Sequence, residues 1–284
     1  MADFPVYSGA VIHSATGAVD GRLYGLKIQC AVANIKGPWA SLLTTTSYAS
    51  QGMLVSIFSP TGAMTYCVDI GIGAAGAERV ILHDLFLNTP RAGQGCTTVF
   101  VPCNIPQGTP VRARTQSSAA GQLYVSCELA SYGFATPSNF TYQSITTLGV
   151  QASLSTTTAT RVTCSPTGST PAASGVPGQW YPIETSTPAD VQGMWMSLGN
   201  NNSTAMLTEV FRLDLGTGTA GSETVLVRDL PVVSNTTSDN IDPQELYLPI
   251  SLPKGSRFVV RGQVSGKTAT NLQVGFYGMT GKLS

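Results

Sequence analysis

Charge is what this chain has least of. Only 11% of its 284 residues are Asp, Glu, Lys or Arg, under half the ~25% usual in soluble domains. The formal net charge is zero and no Lys/Arg-rich run occurs. A nucleic-acid partner needs a basic face to neutralise phosphates, so that class is excluded. No apolar stretch approaches the ~20 residues of a membrane-spanning helix, and no membrane partner is expected. The opening MADFPVYSGA holds an acid and lacks an apolar core, so no secretion signal is read there. The expectation is a chain that begins at or near Met1 and is made in a cytoplasm.

Catalytic groups are scarce too. Histidine occurs only as His13 and His83, and the G-x-S-x-G nucleophile elbow is absent. His83 falls where Arg228 stands in a second copy of the same pattern, which suits an outer-face side chain better than a general base. No C-x-x-C spacing suggests zinc, and no EF-hand pattern is present. SDNIDPQEL gathers Asp239, Asn240, Asp242 and Glu245, a weak calcium candidate better read as a solvated acidic loop. Asn139, Asn202 and Asn235 open N-x-[ST] sequons that have no use without secretion. No catalytic residue, cofactor site or metal ligand is assigned, and no cofactor is expected.

The six cysteines are Cys30, Cys67, Cys96, Cys103, Cys127 and Cys164. If CTTVFVPC is one extended strand, Cys96 and Cys103 lie about 23 Å apart, far beyond disulfide reach. Free thiols acting as small apolar residues are expected.

What is present is a sequence that contains itself twice. DIGIGAAGAERVILHDL (69–85) aligns with DLGTGTAGSETVLVRDL (214–230). Trp39 and the run Gln51, Gly52, Met53 answer to Trp180 and Gln192, Gly193, Met194. VFVPCNIPQG (99–108) answers to LYLPISLPKG (246–255), then Arg114 and Gln116 to Arg261 and Gln263. A repeat of this length is domain-sized rather than a solenoid unit. It predicts an internal duplication: a first domain at 1–134 with an N-terminal arm, a linker at 135–143 and a second domain at 144–284.

GIGAAG matches the G-x-G-x-x-G dinucleotide fingerprint. A dinucleotide site needs a helix to open after it. The second copy continues SETVLVRDL, which is rich in strand formers, so the glycines are read as a hairpin loop over 67–85 and 212–230. Asp69 and Asp214 suit capping of turn amides. Asp69, Glu78 and Asp84 recur as Asp214, Glu223 and Asp229, which favours a framework role over a glycosidase pair. In TYCVDI and EVFRLDL apolar residues alternate as a strand with one face in a core requires. About eight such strands per repeat, broken by Gly/Pro/Ser turns, describe an all-β chain of two tandem jelly-roll-like β-sandwich domains.

With 42% apolar residues the chain is not disordered. Thr, Ser, Ala, Gly and Val take the places of charge. Such a surface suits a protein packed against copies of itself; a robust extracellular-type β-domain is the other reading.

Turns such as IPQGTPVRARTQSS (105–118) and LPKGSRFVVRGQVS (252–265), each followed by a short strand, resemble the ends of β-sandwich modules in virion proteins of tailed bacteriophages. The resemblance, one of style over both repeats, implies a non-enzymatic, multi-copy virion component made in the host cytoplasm. Its partners would be copies of itself and other virion proteins, major capsid or tail. Head decoration or spike is the foremost role. The arm MADFPVYSGAVIH would pair with a neighbour's strand or fold back on its own domain as an edge strand. The rival is a receptor- or glycan-binding protein of tail or fibre, with a host surface glycan as ligand and Trp195, Tyr181 and Tyr247 as candidate sugar-facing aromatics, each of which suits a core position equally. A hydrolase ranks last.

Overall fold

A computed structural model describes residues 10–14, 25–59, 64–89, 95–132, 142–166, 178–199, 209–234, 246–264 and 270–282. The start of the N-terminal arm, most of the linker, the acidic loop of Asp239, Asn240, Asp242 and Glu245, and the three sequons lie outside these residues.

Among the described residues the chain is strands and connections, with no helix. The first half carries β1 (Ala10–Ser14), β2 (Leu26–Cys30), β3 (Ala40–Leu43), β4 (Gly52–Ser59), β5 (Met64–Ile72), β6 (Arg79–Thr89), β7 (Gly95–Val101), β8 (Val111–Ser117) and β9 (Gly121–Tyr132). The second carries β10 (Tyr142–Leu148), β11 (Val150–Ser153), β12 (Thr156–Pro166), β13 (Tyr181–Glu184), β14 (Met194–Gly199), β15 (Glu209–Thr217), β16 (Thr224–Ser234), β17 (Leu246–Leu248), β18 (Phe258–Val264) and β19 (Thr270–Lys282).

In the first half β2, β9, β4 and β7 form one sheet and β3, β8, β5 and β6 the other. Val55, Ile57 and Val125 of the first sheet share a core with Val68, Ile70 and Ala113 of the second. Two four-stranded sheets in this order, closed on one core, are a jelly-roll β-sandwich. The second half pairs in the same way: β12, β19, β14 and β17, then β13, β18, β15 and β16. The register recurs as well. Asp69 faces Arg114 and Asp214 faces Arg261; Met53 faces Leu129 and Met194 faces Gly278.

The glycine segments are hairpin loops, as expected, joining β5 to β6 and β15 to β16. Each glycine has its own reason. Gly73 and Gly76 have φ of 122° and 80°, and Gly218 and Gly221 have 113° and 83°, a region that a side chain makes costly. Gly71 and Gly216 are there for space: a Cβ on either would lie 2.9 Å from the ring of Trp39 or Trp180.

The face of β5 that alternation puts in the core is there, and the opposite face is covered as well: Val68 and Cys67 are both fully buried. The face bearing Cys67 is covered by Val150 and Ala152 of β11, whereas Arg212, in the same place on β15, is exposed. The linker reading needs correction at its end. Tyr142 and Gln143 already belong to β10, and β10 is no tether. It pairs antiparallel with β19 on one side and meets Leu82 of β6 through Ile145 on the other. One sheet therefore runs from the first half into the second.

Candidate functional site

Three places concentrate chemistry: a polar cluster that occurs in both halves, the seam at β10, and the aromatics of β14 and β17.

The cluster begins with a bulge. Between Val68 and Ile70 the β5–β6 register slips, and the same slip occurs between Leu213 and Leu215. The bulged residues Asp84 and Asp229 have φ of 50° and 51°, the left-handed region that Asp tolerates better than most residues. A bulge leaves a backbone group outside the ladder. The N–H of Asp84 is taken up by the Asp69 carboxylate at 2.9 Å, and that of Asp229 by Asp214 at 2.8 Å. The two aspartates thus cap a bulge across the strand pair, not the amides of the glycine loop as their position suggested. The loops close on their own backbone, Ala77 N–H to the Ala74 carbonyl and Ser222 N–H to that of Thr219.

The other carboxylate oxygen is held by arginine. Arg114 Nε donates to Asp69 at 2.8 Å, and Arg261 donates through Nε and Nη2 at 3.0 and 2.8 Å to Asp214. Each guanidinium lies over a tryptophan, Arg114 at 4.5 Å from Trp39 and Arg261 at 4.4 Å from Trp180. The stack pre-orients the arginine, and Gly71 and Gly216 leave room for the ring beneath it. Glu78 and Glu223 end the same arrangement, paired with Arg112 at 3.4 Å and Arg257 at 3.0 Å.

The first half adds Lys36, whose Nζ lies 2.6 Å from Asp69 and 2.7 Å from Asp84. Burial works against the Lys36 charge, but the two carboxylates outweigh it and raise its pKa. Burial likewise opposes ionisation of Asp69, while Lys36, the Asp84 N–H and Arg114 overcome it and hold the carboxyl below its ordinary value. Asp84 moves the other way, raised by burial and by the charge of Asp69. Lys36 has no repeated partner in the sequence, so no periodic signal pointed to it. The pairing of Trp39 with Arg114 was visible as repetition, but not as contact.

The Asp69 carboxylate accepts from two cations and an amide that come from three different segments of the chain. The cluster is therefore built to hold β5, β6 and β8 together. His83 is half-buried rather than outward, and burial lowers its pKa. Its carbonyl accepts from the Thr147 hydroxyl of β10. Among the described residues, no three His, Cys, Asp or Glu side chains gather in a way that could hold a metal ion.

At the seam, Tyr142 N–H donates to the Pro102 carbonyl, and Asn104 N–H donates to the Tyr142 carbonyl. Phe86 N–H donates to the Tyr277 hydroxyl at 2.8 Å across the two halves. Tyr277, Trp195, Met279 and Ile145 of the second half are buried within the first half's core. Trp195, for which the sequence left a sugar-facing and a core place open, is only 6% exposed and packs on Tyr277. Tyr181 is half-buried against the second core, and Tyr247 alone of the three is exposed, at 38%. An open hollow of ≈ 330 Å³ lined by Arg79, Asn104, Pro106 and Gln143 borders the seam, but Arg79 is engaged there by the Gln143 carbonyl at 3.0 Å.

Five cysteines, Cys30, Cys67, Cys103, Cys127 and Cys164, are free and buried. Burial pushes the Cys127 thiol up to about 12 and raises Cys103 and Cys67 as well, so they are inert apolar fillers rather than reactive thiolates.

The class these observations define is an all-β protein of jelly-roll-ordered sandwiches with a polar cluster repeated in both halves. No family model and no curated protein matches its sequence. Among solved structures it is similar to the glycosylasparaginase PNGase F of Flavobacterium meningosepticum, at 10% identity and TM-score 0.31, with 96% of each chain covered. It is also similar to the tandem CBM22-1–CBM22-2 domains of Paenibacillus barcinonensis Xyn10C, at 11% identity and TM-score 0.25 over 96% of this chain and 93% of that one. A third is the infectious bursal disease virus Gt strain structure, at 10% identity and TM-score 0.23 over 97% and 78%. Likenesses this distant carry no functional argument.

Proposed function

We propose that the chain is a non-enzymatic structural virion protein of a tailed phage, made in the host cytoplasm and present in many copies that decorate or bridge the particle, most simply as a head decoration or spike. We further propose that its two sandwiches descend from one by duplication. The observation that carries the reading is the internal pairing of the polar cluster. Asp69 takes Lys36, Arg114 and the Asp84 N–H, Lys36 also lies 2.7 Å from the Asp84 carboxylate, and the same stack stands at Asp214 and Arg261. Charge in this protein ties strands to one another, and one sheet continues through β10 from the first module into the second, an arrangement that suits a bridging part. The low charge supports association with neighbours.

The test is imaging of particles made without this protein. Missing density at a repeated position, restored by adding the purified chain, is the expected result. Particles unchanged in form and composition would overturn the reading. The rival, a glycan- or receptor-binding role, is favoured by the exposed Tyr247 ring. A glycan array on which binding disappears with Tyr247→Ala would establish it.

A further inference from the structure

The seam inside the chain has an open equivalent at each end of it. Within one molecule, β6 of the first half is covered by β10 and β19 of the second. Ile81 and Leu82 there are fully buried and Phe86 is 3% exposed. The equivalent strand of the second half is β16, by the shared register of Gly71 with Val80 and Gly216 with Val225. Among the described residues, β16 pairs with β15 only. Leu226, in the place of Ile81, is 39% exposed, and Pro231, in the place of Phe86, is exposed.

The covering element has its equivalent too. Ile145 of β10 stands opposite Met279 of β19; Ile12 of β1 stands opposite Ala130 of β9. Among the described residues β1 pairs with β9 alone. Its outer edge is thus in the condition that the outer edge of β10 would have without the first half.

The residues at these open faces have changed in a matched way. On the covering side Tyr277 is replaced by Glu128, which is exposed and faces Leu54 just as Tyr277 faces Trp195. On the receiving side Cys67 and His83 are replaced by Arg212 and Arg228, both exposed. Phe86, whose N–H bonds Tyr277, is replaced by Pro231, which has no N–H to offer. A buried phenol-to-amide contact has become one exposed carboxylate on one side and two exposed guanidinium groups on the other, with Asp229 beside them.

We propose that the outer edge of β16 on one molecule receives the β1–β9 edge of a second copy, repeating between chains the contact that β6 and β10 make within one. The inference deepens the multi-copy reading above and rests on it. The contact is heterologous, head to tail, so it propagates to a ring if the rotation closes and to an open array if it does not. Its charges lie at exposed positions, so it weakens with salt.

The experiment is sedimentation of the purified full chain up to about 100 μM, at low and at ~0.5 M salt. The unaltered chain is expected to self-associate at low salt and to dissociate as salt rises. Glu128→Arg alone and Arg228→Glu alone should each weaken association by about ten-fold or more, and the two together should restore it. Leu226→Asp should weaken it with no rescue by either charge change. All these positions are exposed, so unchanged thermal melts check that the variants fold. A strict monomer, or association indifferent to both single reversals, overturns the proposal. A chain that decorates particles while staying monomeric overturns this contact and leaves the virion reading standing. Self-association that follows the charge swap, with no particle ever carrying the chain, supports the contact and removes the virion reading.

Discussion

A residue in this fold is often explained only by the one it makes room for. Gly71 has an ordinary φ, yet a methyl group there would strike the Trp39 ring at 2.9 Å and lift it away from Arg114. Gly76 has a positive φ and no atom within 4 Å of an added Cβ. Gly76→Ala should therefore cost only the left-handed backbone, about 1–2 kcal/mol. Gly71→Ala should cost about 1–3 kcal/mol by overpacking and also change the environment of Trp39. Denaturant melts read by tryptophan fluorescence check both, with a shifted native spectrum expected for Gly71→Ala alone. Asp69 and Asp214 make a second pair. Asp69→Asn leaves Lys36 with Asp84 alone and Arg114 without its carboxylate, and since both cations keep some contact with solvent it should cost about 1–3 kcal/mol. Asp214 lies nearer solvent and holds a single arginine, so Asp214→Asn should cost less. The pH dependence has a definite sign. The folded-state pKa of Asp69 lies below its ordinary value of 3.8, so its stabilisation is present above that pH and is lost as pH falls through the folded value. Asp84, whose pKa is raised, acts in the opposite sense just above 3.8. Acid melts of the Asp69→Asn variant should show a flatter acid limb than the parent.

At the scale of elements the decisive strand is β10. The linker read from the sequence ends at Gln143, two residues inside this strand, YQSITTL. A strand with partners on both edges needs no strong hydrophobic pattern; the ladder itself supplies its bonds. Tyr277 secures it from behind. Tyr277→Phe leaves the buried Phe86 N–H without its acceptor and should cost about 1–3 kcal/mol. Hydrogen exchange should locate the loss, with Phe86 and its neighbours on β6 exchanging faster while β16 is unchanged. His83 adds a pH response at the same seam. Its pKa is lowered from 6.5 by burial, so stability is full above that pH and declines as pH falls through the folded value. His83→Gln should remove that decline.

For the whole molecule, the shared sheet makes cooperative unfolding the expectation: one calorimetric transition rather than two. Reductant should leave its midpoint unchanged, since the five described thiols are buried and free. A real disulfide would contribute about 2–5 kcal/mol, enough to drop the midpoint by several degrees when reduced.

The class of fold, the repeated strands and the hairpin at GIGAAG could be read in the sequence, because they follow from local rules: alternation, turn chemistry and the glycines that a tight loop needs. The second copy mattered most. SETVLVRDL favours strand where AERVILHDL is ambiguous, and the same fold must suit both. Other features were out of reach. Nothing local marks Lys36 as the bridge between Asp69 and Asp84, or Trp195 as core rather than surface, or β10 as the strand that joins two sheets. Each depends on residues far away in the chain that arrive only when the sandwiches close. A periodic pattern reports which face of a strand is apolar. What covers that face, and which of two equivalent edges is left open, is decided by three-dimensional packing alone.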